Sequence, residues 1–536
     1  MAYTKPGVEI SQIQQSATPI FAEADLSSVI VGPGYHIQPA TEAVDSAGDA
    51  IIYSGVALTV DLDEVNSSFS TVDSADQDLI YVDFIGTKGG DTGKTFYLEN
   101  GTDFTTSTSG VSFVANLSNY SDSYSIKIGY RALRDDLDNY RVIEGYSDLE
   151  SRVGLPMTYN PLAFGTKIAL DNAGTSIGIY GTDTLIGGFD TALSALEVED
   201  VYCIAPMSHL DNLSGALKTH CESMSEPEAK KERIGIISRQ ISAQATTGNY
   251  RGASENKTAI AGEVRDANSA VGSKRIVMTY PDIVYVNELR HISTIKQGWI
   301  QDSFAGMGSS NIFETANYNL YARFIGNIEA NGVVYGSGEI ITDDAWNNLI
   351  AEDIHELNVS VPVPGWAYSA AVAGQSAGEA PEQPFTNVSI AGLGKTYGSQ
   401  DHFTEAQLNT MASGGTYIMT QDTAGSPIKS RHQVTTDITS VAKRELSITR
   451  AIDASAKFIR DGVSPYIGKY NISPSFLKLL NSVIVGQGLF LVRNGTLNDF
   501  KLSSLKVDEL SPDTIRVSID LLPKYPVNYI KIELVF

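Results

Sequence analysis

Cysteine and basic residues are both scarce in this sequence. The 536 residues include two cysteines, Cys203 and Cys221, which excludes a disulfide-rich scaffold and favours folding in a reducing compartment, with a single bridge left open. Lysine and arginine number 38 against 63 acidic residues, for a net charge of -25. Because a nucleic-acid backbone repels so acidic a chain, direct nucleic-acid binding is disfavoured.

Long hydrophobic runs are also missing. The opening MAYTKPGVEISQ has no apolar core of the kind a signal peptide carries. The most apolar stretch, LLNSVIVGQGLFLV at 479–492, is interrupted and too short to span a bilayer by itself. We therefore expect neither secretion by a standard signal nor membrane insertion.

Nucleotide and metal motifs are incomplete. Two GKT tripeptides, at 93–95 and 394–396, lack the earlier glycine of a phosphate-binding loop and are interpreted as glycine-rich turns. Cys203, His209, His220 and Cys221 contain metal-ligating atoms, but their spacing matches no usual ligand pair. The acidic clusters at 61–64 and 135–138 lack the glycine of a calcium loop. We predict no cofactor and no metal.

Hydrolase chemistry is equally incomplete. DTG at 91–93 and GTS at 174–176 resemble strings around the acid and nucleophile of subtilisin, but no histidine lies between them. The acid, base and nucleophile therefore cannot occur in subtilase order. We predict that the protein is not an enzyme.

The charge is concentrated in one segment. Residues 41–150 carry 20 acidic and 6 basic residues, whereas residues 429–536 carry 15 basic and 10 acidic ones. Short runs such as QDLIYVDFIG and YSIKIGY, separated by Gly, Asp, Asn and Ser clusters, predict strands. We interpret 1–40 as an N-terminal arm with the first core strand and 41–148 as an acidic all-β insertion domain.

The middle of the chain alternates between strand and helix patterns. GTKIAL, VEDVYCIAP, KERIGIIS and KRIVMTYPDIVYV read as strands, and SHLDNLSGALKTHCESM and ENKTAIAGEVRDANSAVG read as helices. This alternation predicts an α/β core domain over 149–400. The fold class is thus multidomain, with α/β and α+β parts and extended terminal arms.

Residues 401–536 form a predicted basic α+β domain. A long helix over DITSVAKRELSITRAIDASAKFIR places Ile438, Val441, Ile448, Ile452 and Ile459 near one face. We predict that its basic residues Lys443, Arg444, Lys457 and Arg460 face a partner, although ordinary exposed basic residues give the same pattern.

The two chain ends both have strand patterns. In the last strand Ile530, Ile532, Leu534 and Phe536 share one apolar face, and the N-terminal arm carries Val8 and Ile10. An unpaired strand of this kind is an aggregation hazard, so it must pair within its own sheet or with another subunit. The residues alone slightly favour pairing of both ends within one sheet, and pairing between subunits is the prediction that we take forward.

Several strings resemble the sheath proteins of contractile phage tails. They occur in the family's order: YTKPGVEISQIQQSATPI and SSVIVGPG, then NPLAFGTKIALDNAG, VPVPGWAYSAAVAG, APEQPFTNVSIAG, and finally SITRAIDASAKFIRDGVSPYIGKYNISPSFLKLLNSVIVGQGLFLVRNGTLNDF with the terminal PVNYIKIELVF. The resemblance covers about 1–35 and 150–536. It implies a subtilisin-like core without protease function, with the acidic module as a variable insertion.

The resemblance also implies a function. Family members stack as helical rings around an inner tail tube and contract to drive the tube through a cell envelope, without consuming a nucleotide. Expected partners are other copies of the chain, the tube protein, and baseplate and tail terminator proteins. The expected location is the virion tail after assembly in the host cytoplasm. A non-contractile shell or decoration protein, and the sheath of a phage-like bacteriocin or injection system, remain alternatives.

Overall fold

The computed structural model describes most of the chain from residue 26 onward. The described residues are 26–39, short backbone segments of strand between 42 and 133, 134–158, 160–183, 186–208, 213–238, 257–291, 323–339, isolated positions between 341 and 354, 356–396, 403–423, 426–528 and 530–534. Val8, Ile10 and Phe536 lie outside them, as does His209.

The strands of the first part of the chain include those of the acidic module. They are β1 (Ser28–Pro33), β2 (Tyr35–Pro39), β3 (Glu42–Val44), β4 (Ala50–Ile52), β5 (Leu58–Thr59), β6 (Ser68–Ser70), β7 (Asp78–Lys88), β8 (Asp91–Tyr97), β9 (Phe104–Ser107), β10 (Gly110–Phe113), β11 (Ser123–Leu133) and β12 (Arg141–Ile143). Every described element between 42 and 133 is a strand.

The remaining strands follow in the middle and end of the chain. They are β13 (Ile177–Thr182), β14 (Cys203–Pro206), β15 (Ile234–Ser238), β16 (Ile276–Tyr280), β17 (Ile283–His291), β18 (Arg323–Phe324), β19 (Ile328–Ala330), β20 (Val333–Tyr335), β21 (Glu356–Pro364), β22 (Lys395–Thr396), β23 (Thr416–Thr420), β24 (Lys429–Ser430), β25 (Leu497–Val507) and β26 (Ile515–Pro523).

The described helices begin after the acidic module. They are α1 (Tyr146–Arg152), α2 (Pro161–Ala173), α3 (Ile186–Ala195), α4 (Leu213–Met224), α5 (Lys257–Val271), α6 (Trp366–Gly378), α7 (Glu405–Ala412), α8 (Val441–Arg444), α9 (Leu446–Val463) and α10 (Pro474–Asn494). A fold that mixes helices with several sheets confirms the mixed α/β, multidomain prediction.

Helix α2 corrects one strand prediction. The string GTKIAL lies inside α2, whose first residue Pro161 has the fixed φ that suits a first helical position. The side chain of Asn160 caps the helix by accepting from the backbone of Ala163, and Gly174 ends it in the left-handed conformation. Strong start and stop signals thus outweighed a short β-like run.

A central eight-stranded sheet organises the larger part of the chain. Its order is β12-β13-β1-β14-β15-β16-β23-β24, and the six inner strands pair in parallel. The inner strands follow the order 2-1-3-4-5-6 in chain sequence. Its first five positions match the 2-1-3-4-5 order of flavodoxin-like doubly wound sheets.

Helices cover both faces of this sheet. Val29 and Val31 of β1 pack in a buried cluster with residues of α3 and α4, whereas Ile30, on the opposite face, lies near Gly165 of α2. Helix α6 packs against α2, and a Cβ at Gly374 or Gly378 would collide with a carbonyl oxygen of α2. Because the sheet is covered on both faces, every residue of strands such as β1 and β16 is buried, and most of these residues are apolar.

The chain divides into two compact units. One contains Arg450–Tyr525, and the other contains Leu26–Thr449 together with the final residues from Pro526. The predicted boundary at residue 401 therefore differs from the observed one at 449/450. The reason is β23, which pairs in parallel with β16 and so joins the central sheet.

Candidate functional site

The carboxyl ends of β1 and β14 mark the point where the order of the central sheet reverses. In open α/β sheets, ligands bind in the crevice at such a point. Here a Cβ at Gly32 would lie 2.7 Å from Cβ of Met207, and one at Gly34 would lie 2.7 Å from Cδ1 of Leu137. Both of these side chains are fully buried, so apolar packing occupies this part of the described crevice.

The glycine-rich GKT strings lie in strands. Residues 93–95 lie within β8, which pairs with β7, and Lys395 and Thr396 form β22, which pairs with β17. A phosphate-binding loop instead leads from a strand into a helix. The interpretation of these strings as turns is wrong, because strand pairing takes up their backbone.

The cysteines and His220 are buried and serve packing. Cys203 and Cys221 are both free thiols, and burial raises the pKa of Cys221 well above its usual range. Arg233 donates from Nη1 to Nε2 of His220 at 2.7 Å, and from Nη2 to the carbonyl oxygens of Leu196 and Glu199. No cluster of three metal-ligating side chains occurs among the described residues.

The environment of His220 keeps its imidazole neutral. Burial, and secondarily the positive charge of Arg233, lower its pKa to about 4. Nε2 must accept from Arg233, so this ring nitrogen is already engaged. This cluster stabilises the C-terminal ends of neighbouring elements in the core.

The four predicted partner-facing basic residues are not on one helix. Lys443 and Arg444 belong to the four-residue helix α8, and Lys457 and Arg460 belong to α9. The predicted single helix is interrupted at Glu445, and Ile438 precedes α8 with 40% of its surface exposed. The apolar periodicity across the break therefore belongs to two short segments rather than one face.

Exposure also separates these four residues. Lys443 is exposed and pairs with Asp437 at 3.2 Å, whereas Nε of Arg444 pairs with Glu445 at 3.0 Å. Lys457 is 9% exposed and thus buried in the protomer. The residues stay predicted sites, but Lys443 is the one whose ammonium group lies at the surface.

A long hairpin dominates the C-terminal unit. Strands β25 and β26 pair in antiparallel register from Leu497 opposite Pro523 to Val507 opposite Ile515. They form a two-stranded sheet, so each strand has one edge without a partner strand among the described residues. An edge of this length offers a row of backbone donors and acceptors to an added strand.

The terminal segment, residues 527–534, has no regular pairing. Its described positions adopt no strand or helix, and Ile530, Ile532 and Leu534 expose 78%, 78% and 83% of their surfaces. The alternating pattern predicted a half-buried strand, yet the described positions form no strand and their apolar side chains are exposed. The predicted pairing between subunits stays a prediction.

Helix α10 exposes a mixed stripe, in which Leu479 and Leu489 lie among polar and small residues, and the sequence analysis did not identify it as a surface. Residues at spacings of three and four are exposed along one side: Ser475, Leu479, Ser482, Gly486, Leu489 and Arg493. The opposite side packs within the C-terminal unit, where Gln487 donates to the carbonyl of Phe458 at 3.0 Å and Phe490 stacks on Phe458 at 5.3 Å. Leu479 and Leu489 are ten residues apart, or about 2.8 helical turns, which places them about 80° apart around the helix axis, so their spacing by itself gave no clear signal of this surface.

Helix α10 is also long and apolar enough to cross a membrane by length and composition alone. The prediction that this stretch is too short is therefore wrong, because the helix includes the flanking residues and reaches 21. Core helices of soluble proteins meet the same criterion, and the packing of Gly488 against Phe500 anchors α10 inside its own unit. A single helix of this kind does not assign the chain to a membrane.

Part of the sequence is similar to that of a phage protein. The chain is 28% identical over 180 residues to the tail sheath protein of Mycobacterium phage Bxz1. The match covers 33% of this chain and 30% of the phage protein. It confirms the resemblance to contractile tail sheath proteins. No family model matches the chain.

Structure comparison gives distant similarities. A chain of the anti-feeding prophage baseplate is 13% identical with a TM-score of 0.46, covering 75% of this chain and 90% of that one. The sheath complex of an extracellular contractile injection system, in the contracted state, has 12% identity and a TM-score of 0.46, covering 74% and 86%. A sheath tail protein from Desulfitobacterium hafniense has 10% identity and a TM-score of 0.39, covering 98% and 100%.

Proposed function

We propose that the protein is the structural subunit of a contractile phage tail sheath. The observation that carries the proposal is the pair of complementary features at the C-terminus: an exposed apolar segment at 530–534 and a hairpin with open edges. The similarity to the Bxz1 tail sheath protein supports the same function. In this proposal the chain performs no catalysis and binds no cofactor.

The proposed assembly is a helical stack of rings around an inner tail tube. Contraction of the stack drives the tube through the host envelope, and baseplate and terminator proteins bind the two ends of the stack. The assembly forms in the host cytoplasm and becomes part of the virion tail. The energy is stored in the extended lattice, so neighbouring copies must stay tethered while they slide.

The proposed tether is strand exchange. Ile530, Ile532, Leu534 and Phe536 of one copy, with Val8 and Ile10 of another, add to the open edges of the β25–β26 hairpin of a third. Burying an exposed isoleucine or leucine side chain contributes about 2 kcal/mol, and added backbone pairing fixes the register. Three such side chains therefore favour pairing over exposure to water.

The proposed orientation places the basic C-terminal region toward an acidic tube. Lys443, Arg444 and Arg460 are the proposed contacts, with Lys443 the most accessible of them, whereas Lys457 is buried in the protomer and is no longer proposed as a contact. The acidic module at 41–148 then faces outward, where its charge favours solvation. The proposal retains a subtilisin-like core as the family interpretation of the central sheet, which lies in the compact unit that extends to Thr449, with 41–148 as an insertion domain.

The experiment removes the tether and leaves the fold intact. The variant Ile532→Pro deletes a backbone donor in a segment that has no regular pairing in the described chain. We expect folded monomers by sedimentation and no striated cylinders by electron microscopy, with Ile532→Val as the matched control that still assembles. Deleting 527–536 must give the same result.

Two outcomes would contradict parts of the proposal. Normal contractile cylinders from Ile532→Pro would show that the terminal segment is not a tether. Cylinders from the unaltered chain that keep one length when mixed with tube and baseplate proteins would favour the non-contractile shell instead.

A further inference from the structure

The backbone around Glu445 is fixed from both sides. Glu445 forms an antiparallel bridge with Val434, Leu446 donates to the carbonyl of Gln433 at 3.1 Å, and Thr435 donates to the carbonyl of Arg444 at 2.8 Å. Glu445 is fully buried at the break between α8 and α9. Its carboxylate is therefore held in one place by the larger compact unit.

One oxygen of this carboxylate accepts three hydrogen bonds. Oε1 of Glu445 accepts from Nε2 of His432, Nε of Arg444 and Nδ2 of Asn528, each at 3.0 Å. Burial raises the pKa of Glu445, but hydrogen bonding and charge from His432 and Arg444 outweigh burial and leave the pKa below its ordinary value. The side chain is thus ionised, and an ionised acceptor strengthens the hydrogen bond from Asn528.

The cluster is incompletely satisfied. Oε2 of Glu445 and Oδ1 of Asn528 are buried and have no hydrogen-bond partner among the described residues. An unpartnered buried acceptor opposes the contact that buries it. If Asn528 moved away, its amide would regain water while Glu445 kept His432 and Arg444, so the contact is suited to opening.

The contact between Asn528 and Glu445 lies just before the exposed terminal segment. The chain leaves the larger unit after Thr449 and returns at Pro526, and Asn528 meets Glu445 across 83 residues. The exposed apolar residues begin two positions later, at Ile530. The hydrogen bond from Asn528 therefore lies at the root of the terminal segment.

We propose that Glu445 and Asn528 form a releasable clamp that fixes the point from which the terminal segment leaves the subunit. The proposal rests on the proposed tether function of that segment and adds its control. While the clamp is closed, residues 530–534 have a limited volume to search for the hairpin of a second copy. Opening it lengthens the free tether by the residues between Pro526 and Ile530.

The test measures motion in the unassembled full-length chain. A nitroxide attached at Ile530→Cys reports the motion of the segment, and the native Cys203 and Cys221 are buried and do not compete for the label. We expect Asn528→Asp, which sets a second carboxylate against Glu445, to shorten the rotational correlation time at least threefold. Asn528→Ala, which only removes the donor, should give a smaller change in the same direction.

The matched control is Asn498→Asp, the same change at an exposed position of β25. The label must keep its wild-type motion in this control. Equal motion in wild type and Asn528→Asp, or an equal increase in Asn498→Asp, overturns the clamp.

Thermal melting confirms that each variant is folded, and cylinder formation is scored separately on unlabelled protein. A freed label in a chain that never forms cylinders would support the clamp and contradict the proposed function. Normal cylinders combined with unchanged label motion would support the proposed function and contradict the clamp.

Discussion

The central sheet has short edge strands, whereas the C-terminal hairpin has long ones. The central sheet ends in β12 and β24, antiparallel strands of three and two residues. The hairpin ends in β25 and β26, strands of eleven and nine residues. Short edge strands blunt further pairing, whereas long open edges invite it. The larger unit is therefore closed to strand addition at these edges, and the smaller one is open.

The helices differ in the same sense. Helix α6 is buried from Trp366 to Ser376 and presses its glycines against the backbone of α2. Helix α10 buries one side and exposes Leu479 and Leu489. The contact between α6 and α2 has no space for a larger side chain, whereas α10 leaves two leucine side chains exposed to solvent. The protein thus combines tight helix packing around α6 with exposed apolar side chains on α10 in its C-terminal region.

The largest expected effect comes from adding a side chain where α6 packs closely against α2 in the core. Gly374→Val places a side chain where a Cβ already collides with the carbonyl oxygen of Ala169. Overpacking of this kind costs about 3 kcal/mol or more, and we expect a strongly lowered melting temperature or insoluble protein. Gly486→Ala on α10 is the control: nothing lies within 4 Å of the added Cβ, and better helix propensity should stabilise by about 0.5–1 kcal/mol. Equal melting temperatures for the two variants would contradict the contrast.

An intermediate effect is expected from acidification of the buried His220. Its folded pKa of about 4 lies below the value of 6.5 expected when unfolded, so the unfolded chain binds more protons between these limits. The contribution is present above pH 6.5 and is lost as the pH falls toward 4, by up to about 3 kcal/mol.

Denaturant unfolding at pH 7 and pH 4.5 measures this loss. His220→Gln, whose amide oxygen can still accept from Arg233, should show a smaller fall in the free energy of unfolding than wild type over that range. The same fall in both proteins would assign the acid sensitivity to other groups.

The smallest effect is expected on the exposed stripe of α10. Leu489→Ala, at a side chain 60% exposed, should change the free energy of unfolding by no more than about 0.5 kcal/mol. Leu480→Ala, on the same helix but 4% exposed, should cost about 2–5 kcal/mol. Thermal unfolding of both compares the two sides directly, and a large cost at Leu489 would show that the stripe is covered within the subunit.

Several features followed from the sequence because local pattern and tertiary environment agree. The strands around Cys203 and Ile276 and the helices around Leu217 and Val264 all have the predicted type. Their periodicity of two or 3.6 residues matches the surfaces they bury.

Other features could not be predicted, since distant contacts decide them. Lys457 has the composition of an exposed helical residue but is buried, and the helix expected across Glu445 breaks where Val434 forms a bridge with it. GTKIAL is a different case, because local signals that the prediction overlooked, namely Asn160, Pro161 and Gly174, delimit a helix around this β-like string. The burial of Lys457 and the break at Glu445 are not encoded in a window of ten residues.

By itself the sequence determined the types of several core elements, the separation of acidic from basic regions and the apolar alternation of the last residues. Those properties depend on neighbours in the chain. The tertiary structure alone decided that Ile530, Ile532 and Leu534 find no partner strand within the described chain, and that Asn528 meets Glu445 across 83 residues. Alternation specifies that a strand needs a partner, but which edge is open depends on how every other strand has already paired.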